Sequence, residues 1–403
     1  MFKICLFLSL FPVLLCGQTY KVKTTYDPFS NSSSSTITKE TSPYGRQSYM
    51  PEIKPFTPNY KMLNNTLNQF ESKYKNSSRY YNSSSNRISS TDIHNAEVYS
   101  QRGVNKWNAN LKNMSYSLNQ SVLLDYNKAI QLNPYLAQAY QRRAGVFHFL
   151  KNYNEALKDI NKAIEIELSG TGISSYRNYK KGEINNTFMS SMLYDRSQTK
   201  GFLKDFYGEI SDLNYAIKYN NKNGNSSGKC LEARGIAKYN IEDFEGSVND
   251  LTNAFKITYN PDRISYRKAL NIRAEAYEKL GEFHRSSYDW FALKSYYKEN
   301  AQKKALYLKK YADTHMKIPI ERNYEKNRHT SYILKAIESY NEAIELDPCW
   351  NYHCDRAMAY ENLKQYSEAL ADVNLAIEIC NNQAVLDMLV EYRKYLFKEK
   401  SIN

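Results

Sequence analysis

The residues best spaced to act together are six arginines and six aspartates. Arg143 precedes Asp159, Arg196 precedes Asp212, Arg234 precedes Asp250, Arg273 precedes Asp289 and Arg356 precedes Asp372, each by sixteen positions, while Arg102 precedes Asp125 by twenty-three. A guanidinium presents a planar fork of donors that a carboxylate accepts with both oxygens, so the series has two possible uses. The arginines could line a groove for an acidic ligand, or each could be held by its aspartate and fix two chain segments in register. Both partners vanish together in one copy: no arginine lies in 301–316, and Ser339 stands at the aspartate place. Joint loss is how a contacting pair behaves, so the sequence predicts a ladder of Arg–Asp ion pairs.

Signals for reaction chemistry are sparse. The histidines, His94, His148, His284, His315, His329 and His353, are scattered, with no HExxH, nucleophile elbow or glycine-rich phosphate loop. The reading is of a non-enzymatic chain with no cofactor and no metal. Of the cysteines beyond the first seventeen residues, Cys349 and Cys354 flank a predicted helix start and could pair. Free buried thiols are the plainer expectation for all four, the others being Cys230 and Cys380.

The aspartates belong to a recurring motif, Asp-apolar-Asn-x-Ala-Ile. It reads DYNKAI at 125–130, DINKAI at 159–164, DLNYAI at 212–217 and DVNLAI at 372–377, with looser copies at Asp250, Asp289 and Ser339. Ala129 and Ala163 are 34 residues apart, the period of a stacked helix-turn-helix unit. Each arginine lies on a first helix beside a small residue, as in Arg102-Gly103, Arg143-Ala144, Arg234-Gly235, Arg273-Ala274 and Arg356-Ala357. Small side chains let two helices approach, and aromatics such as Tyr153, Phe206, Phe244, Phe283 and Tyr366 fill the space beside them. Pro134, Pro261 and Pro348 follow the second helices, where proline ends a helix.

This pattern resembles the tetratricopeptide repeat, in an exported protein of bacterial type. In the second copy the family's places are filled by Tyr140, Ala144, Tyr153, Ala156 and Ala163, with Leu168 where the family has proline. The resemblance covers most of 92–383 and implies an all-α fold, an α-solenoid of about seven helical hairpins with a C-terminal capping helix over 384–403. Spacing places insertions near 108–120, 169–189 and 317–330, read as surface loops. By the resemblance, the ligand groove is lined by first helices, at Gln138, Gln141, His148, Tyr194, Gln198, Glu232, Tyr239, Lys268, Asn271 and Glu275. The Lys and Asn pair with which one subclass clamps a peptide carboxylate is absent, since Gln141 and Gly145 stand there in the second copy; this disfavours a chaperone-tail adaptor.

Residues 1–17 carry one lysine, an apolar run and a small residue, Gly17, before a polar stretch, which reads as a secretory signal peptide. Cys16 permits a lipoprotein reading, but Leu15 before it fits ordinary cleavage better. Residues 18–91 form a polar, basic arm expected to be disordered, apart from an amphipathic stretch at 60–74. The net charge of +13 is concentrated there, ten Lys/Arg against four Asp/Glu over 18–90. For an exported chain this suits contact with an anionic envelope surface rather than nucleic acid. The sequence thus points to an exported scaffold, periplasmic, envelope-associated or secreted, that binds a protein or peptide through its groove. The alternative is an envelope or polysaccharide binder using the basic arm and some of its 37 tyrosines, those facing the groove.

Overall fold

The computed structural model describes side chains or backbone over 88–110, 116–172, 185–220, 224–260, 262–319 and 326–402, and backbone alone for three short strands near the N-terminus. The signal-peptide reading of 1–17 apart from Leu14–Leu15, the 60–74 helix and Pro261 lie outside the described residues. Where the sequence predicts a disordered arm, strand β2 (Gln18–Asp27) pairs antiparallel with β3 (Ser32–Lys39), Val22 opposite Ile37, and β1 (Leu14–Leu15) pairs with β2. Alternating Tyr20, Val22, Thr24 and Tyr26 carry β-branched or aromatic residues at every second place, which suits a strand despite the polar composition.

From residue 90 onward the described chain is all α-helix. One compact unit, 56–280, contains α1 (Ser90–Asn110), α2 (Tyr116–Leu132), α3 (Ala137–Phe149), α4 (Tyr153–Leu168), α5 (Asn186–Phe202), α6 (Phe206–Tyr219), α7 (Gly224–Asn240), α8 (Phe244–Ile257) and α9 (Ile264–Lys279). These pack as four successive hairpins followed by α9. The other unit contains α10 (Phe283–Tyr296), the hairpins α11 (Ala301–Met316) with α12 (Lys326–Leu346) and α13 (Trp350–Asn362) with α14 (Tyr366–Ile379), and the closing helix α15 (Gln383–Ile402). Part of what spacing marks as inserted loop is helix: α1 extends to Asn110, α2 begins at Tyr116 and α12 at Lys326. Extra residues that continue a helical pattern lengthen the helix, because each added turn satisfies its own backbone.

Small residues stand where the helices touch. Ala129, Ala144, Ala163 and Ala216 are fully buried, and a Cβ on Gly103 would sit 2.7 Å from the Tyr126 ring. Around them pack Ile160, Met189, Met192, Leu193 and Leu213, each such burial contributing about 1.5–3 kcal/mol. Four hairpin turns share one build. The chain leaves the first helix through Lys151, Lys204, Glu242 or Lys364, all in the left-handed region at φ 61°, 63°, 64° and 60°. The next residue then donates its N–H back to the carbonyl five residues earlier, as Asn152 to Phe147 at 2.8 Å and Asp205 to Lys200 at 2.9 Å, a Schellman closure. Asp205 and Asp243 then cap the second helix by accepting from the N–H of Gly208 and Gly246.

All four cysteines of the array are free thiols. Cys349 packs beside Ala305, Leu308, Ala343 and Tyr352, whereas Cys354 packs beside Ala376, Cys380 and Leu389, so the two do not form the disulfide that their spacing allows. No helix of the described chain is long and apolar enough to cross a membrane.

Candidate functional site

The arginine series is spent on the fold. Arg143 donates from Nε and Nη2 to both oxygens of Asp159, each at 2.7 Å. Arg234 does the same to Asp250, and Arg196 to Asp212 at 2.8 and 2.7 Å. Arg356 grips Asp372, and Arg102 grips Asp125. A lysine one turn along joins three of them, Lys106 on Asp125, Lys200 on Asp212 and Lys238 on Asp250. The remaining donor of each fork reaches the preceding hairpin. Arg143 Nη1 meets Asn127, Arg196 meets Asn161, Arg234 meets Asn214 and Arg356 meets Asn341. These are the asparagines of the Asp-apolar-Asn motif, so one arginine ties its own hairpin to the one before it.

Arg273 has Thr252 at the asparagine place, accepts the Phe255 ring against its guanidinium and lies in the first unit, while Asp289 is buried in the second. In the hairpin that lacks both partners, Lys309 takes over, bridging Asp313 and Asp355 at 2.7 Å each. With their forks filled in this way, the arginines of the ladder have little donor capacity left for an acidic ligand.

Six of the ten residues expected in a groove are not among those lining the cleft described next, and five of the six are engaged with other side chains of first helices. Gln141 donates to Asp195 at 2.6 Å and to Ser191 at 3.0 Å, and burial pushes the Asp195 carboxyl up to about 6 against that hydrogen bond. His148 contacts Thr199 at 3.2 Å and packs against Tyr153 and Phe202, and burial lowers its pKa. Glu275 accepts from Tyr239 at 3.1 Å and from Asn271 at 2.9 Å. Gln138 is half-buried on α3.

The other four, Tyr194, Gln198, Glu232 and Lys268, come together in a cleft of about 520 Å³ among α5, α6, α7 and the start of α9. Phe202 and Phe206 supply apolar wall, and Glu209, Lys229 and Arg263 bring charge. Burial pushes the Glu209 carboxyl up to about 7, with Lys268 pulling the other way. Glu232 is buried and paired with Arg263; burial raises its pKa and the Arg263 charge lowers it. Burial holds the Tyr194 hydroxyl at about 12. Lys229 and Lys268 are exposed and in no salt bridge among the described residues. The cleft therefore offers aromatic surface beside two cations free to meet a carboxylate.

Sequence reasoning missed Glu209 and Lys229, although both left a trace. Glu209 occupies a place where the second copy has Ala156, and the carboxylate fits because Gly201 faces it: a Cβ there would stand 2.7 Å from Oε2. Lys229 stands at the same place of its repeat as Gln138 does in the second.

The tetratricopeptide repeat family model matches residues 137–169 and 351–383, which hold α3 with α4 and α13 with α14. No curated protein matches the chain by sequence. Among solved structures, the C-terminal part of a TPR repeat-containing protein from Cytophaga hutchinsonii is similar with a TM-score of 0.49 and 13% identity, over 73% of this chain and 98% of that one. YrrB, a TPR protein with an unusual peptide-binding site, is similar with a TM-score of 0.40 and 16% identity, over 59% and 97%. A tetratricopeptide repeat protein from Parabacteroides merdae gives 0.40 and 13%, over 75% and 99%. With two repeats matched and consecutive helix pairs packing along the described chain, the chain carries tetratricopeptide repeats.

Proposed function

We propose that this chain is an exported, non-enzymatic interaction scaffold that holds a peptide segment of a protein partner in the cleft of Tyr194, Phe202 and Phe206. The observation that carries the reading is the pair of exposed lysines in no salt bridge among the described residues, Lys229 and Lys268, beside aromatic wall in a cleft of about 520 Å³. A peptide with a carboxylate next to an apolar or aromatic side chain matches that surface, because the ring fills the apolar wall while the carboxylate replaces water on the lysines. Polar ties such as Gln141 to Asp195 hold neighbouring first helices in place, which reduces the ordering cost of binding. The apolar run of residues 1–17 supports export.

The test is calorimetric titration of the full chain with a panel of acidic-aromatic peptides. The Lys229→Ala, Lys268→Ala double variant should weaken the best binder about tenfold or more. Equal affinity of the double variant would overturn the cleft. Salt-sensitive retention on anionic glycans, lost on deleting 18–90, with no peptide bound, would favour the envelope-binding alternative. Mass spectrometry of material outside the cytoplasm reads the mature N-terminus, and an intact Met1 there would refute cleavage after the apolar run.

A further inference from the structure

The second compact unit contains its own basic cleft, of about 510 Å³, which the peptide reading does not use. It opens where α10 and α12 both begin, beside Pro319 after the end of α11. Its walls bring together His284 and Arg285 from the first turn of α10, and Arg328, His329 and Tyr332 from the first turns of α12. Among the described lining residues Glu282 alone is acidic, and it is half spent on Arg285, whose Nη1 it meets at 2.8 Å in an exposed pair.

Three features make this an oxyanion site rather than a charged rim. Two guanidinium groups and two imidazoles face one carboxylate, and Arg328 has no salt bridge among the described residues. The imidazole of His329 is half-buried in the cleft wall, which fixes where its ring stands. Both helices begin at the cleft, so unpaired N–H groups of the first turn of α10 add partial positive charge. The rings of His284 and Tyr332 lie edge to face at 5.4 Å, and His315 packs against Tyr332 at 5.7 Å.

We propose that this cleft binds a phosphate monoester or free phosphate, its oxygens taken by Arg328, Arg285 and the imidazole N–H groups. Guanidinium forks match the tetrahedral oxyanion. The proposal is independent of the peptide cleft.

Titration of the full chain with inorganic phosphate and, separately, with a phosphoserine peptide tests it, read by calorimetry. Saturable binding that Arg328→Ala weakens about tenfold or more supports the site. Lys256→Ala, at an exposed lysine of the other unit that lines neither cleft, should leave that binding unchanged. Tighter binding of the peptide identifies an esterified source, and equal binding a free ion. Arg285 and Arg328 are exposed, so both variants should fold, which circular dichroism checks. No saturable binding by about 10 mM of either compound, or binding indifferent to both Arg285→Ala and Arg328→Ala, overturns the proposal.

Discussion

Arg196 and Asp212 meet through two parallel hydrogen bonds of 2.8 and 2.7 Å with side chains 6% and 0% exposed, so this pair is cut off from water. Removing one partner leaves the other buried and charged, with Lys200 at 2.9 Å as its remaining support. Arg196→Ala should therefore cost about 3–5 kcal/mol of stability. Arg102→Ala, whose guanidinium is 53% exposed and whose aspartate keeps Lys106, should cost about 1 kcal/mol or less. Urea denaturation of both variants checks the order, and equal costs would contradict it.

Glycines in the array divide sharply by what faces them. A Cβ at Gly235 would lie 2.7 Å from Leu251 and 3.2 Å from the Ser247 carbonyl, whereas at Gly145 nothing lies within 4 Å. Gly235→Ala should destabilise by about 1–3 kcal/mol. Gly145→Ala, inside α3, should stabilise by about 0.5–1 kcal/mol. Thermal melts of the pair give opposite signs if the helices pack as described.

Glu209 supplies a pH test. Its carboxyl has an ordinary value of 4.5 and rises to about 7 in the fold, because burial disfavours the charge. Its contribution to stability is thus fully present below about pH 4.5 and is lost as pH rises through 7. Glu209→Gln, which cannot ionise, should match the parent near pH 4 and exceed it by about 1–3 kcal/mol at pH 8. A constant difference across that window would mean that the carboxyl is not desolvated.

Asp372 runs the other way. Burial works to raise its pKa, but the hydrogen bonds from Arg356 and His353 outweigh it and hold the carboxyl below its ordinary 3.8. The stability it adds is present above that value and disappears as pH falls through the lower, folded one. Asp372→Asn should therefore be destabilising at neutral pH, with the gap narrowing in acid; a gap that widens in acid would refute the pairing.

Much of the scaffold was legible because packing repeats itself. Arg143 and Asp159 recur at one spacing in several hairpins, and an interaction used that often leaves the same mark each time. The motif's asparagine was visible but its partner was not: Asn127 meets an arginine of the next hairpin, and one sequence read along its own repeat gives no reason to look forward. The same rule extends to the closing helix, where Arg393 meets Asn374 at 3.4 Å. The clefts were harder to read. Tyr194, Gln198, Glu232 and Lys268 could be placed by repeat position, but Gln141 and Asn271 at equivalent places are taken by neighbours. What separates the two groups is which side chain happens to lie opposite, and that depends on the third dimension. The basic cleft of Arg328 and His329 joins residues about forty positions apart across two helix starts, with no recurring pattern to flag it.

The left-handed bends at Lys151, Lys204, Glu242 and Lys364 show how far this molecule lies from its own limit of robustness. Gly281 occupies the same conformation, at φ 74°, without a side chain to crowd the carbonyl. The other four bends each retain a cost on the order of 1 kcal/mol, partly offset by the narrower unfolded ensemble of a non-glycine residue. Lys204 and Glu242 lie within two residues of Phe202, Phe206 and Asn240 in the first cleft, whereas Lys151 and Lys364 adjoin no residue lining either cleft. Resistance to heat can therefore be set at those two corners without touching a ligand.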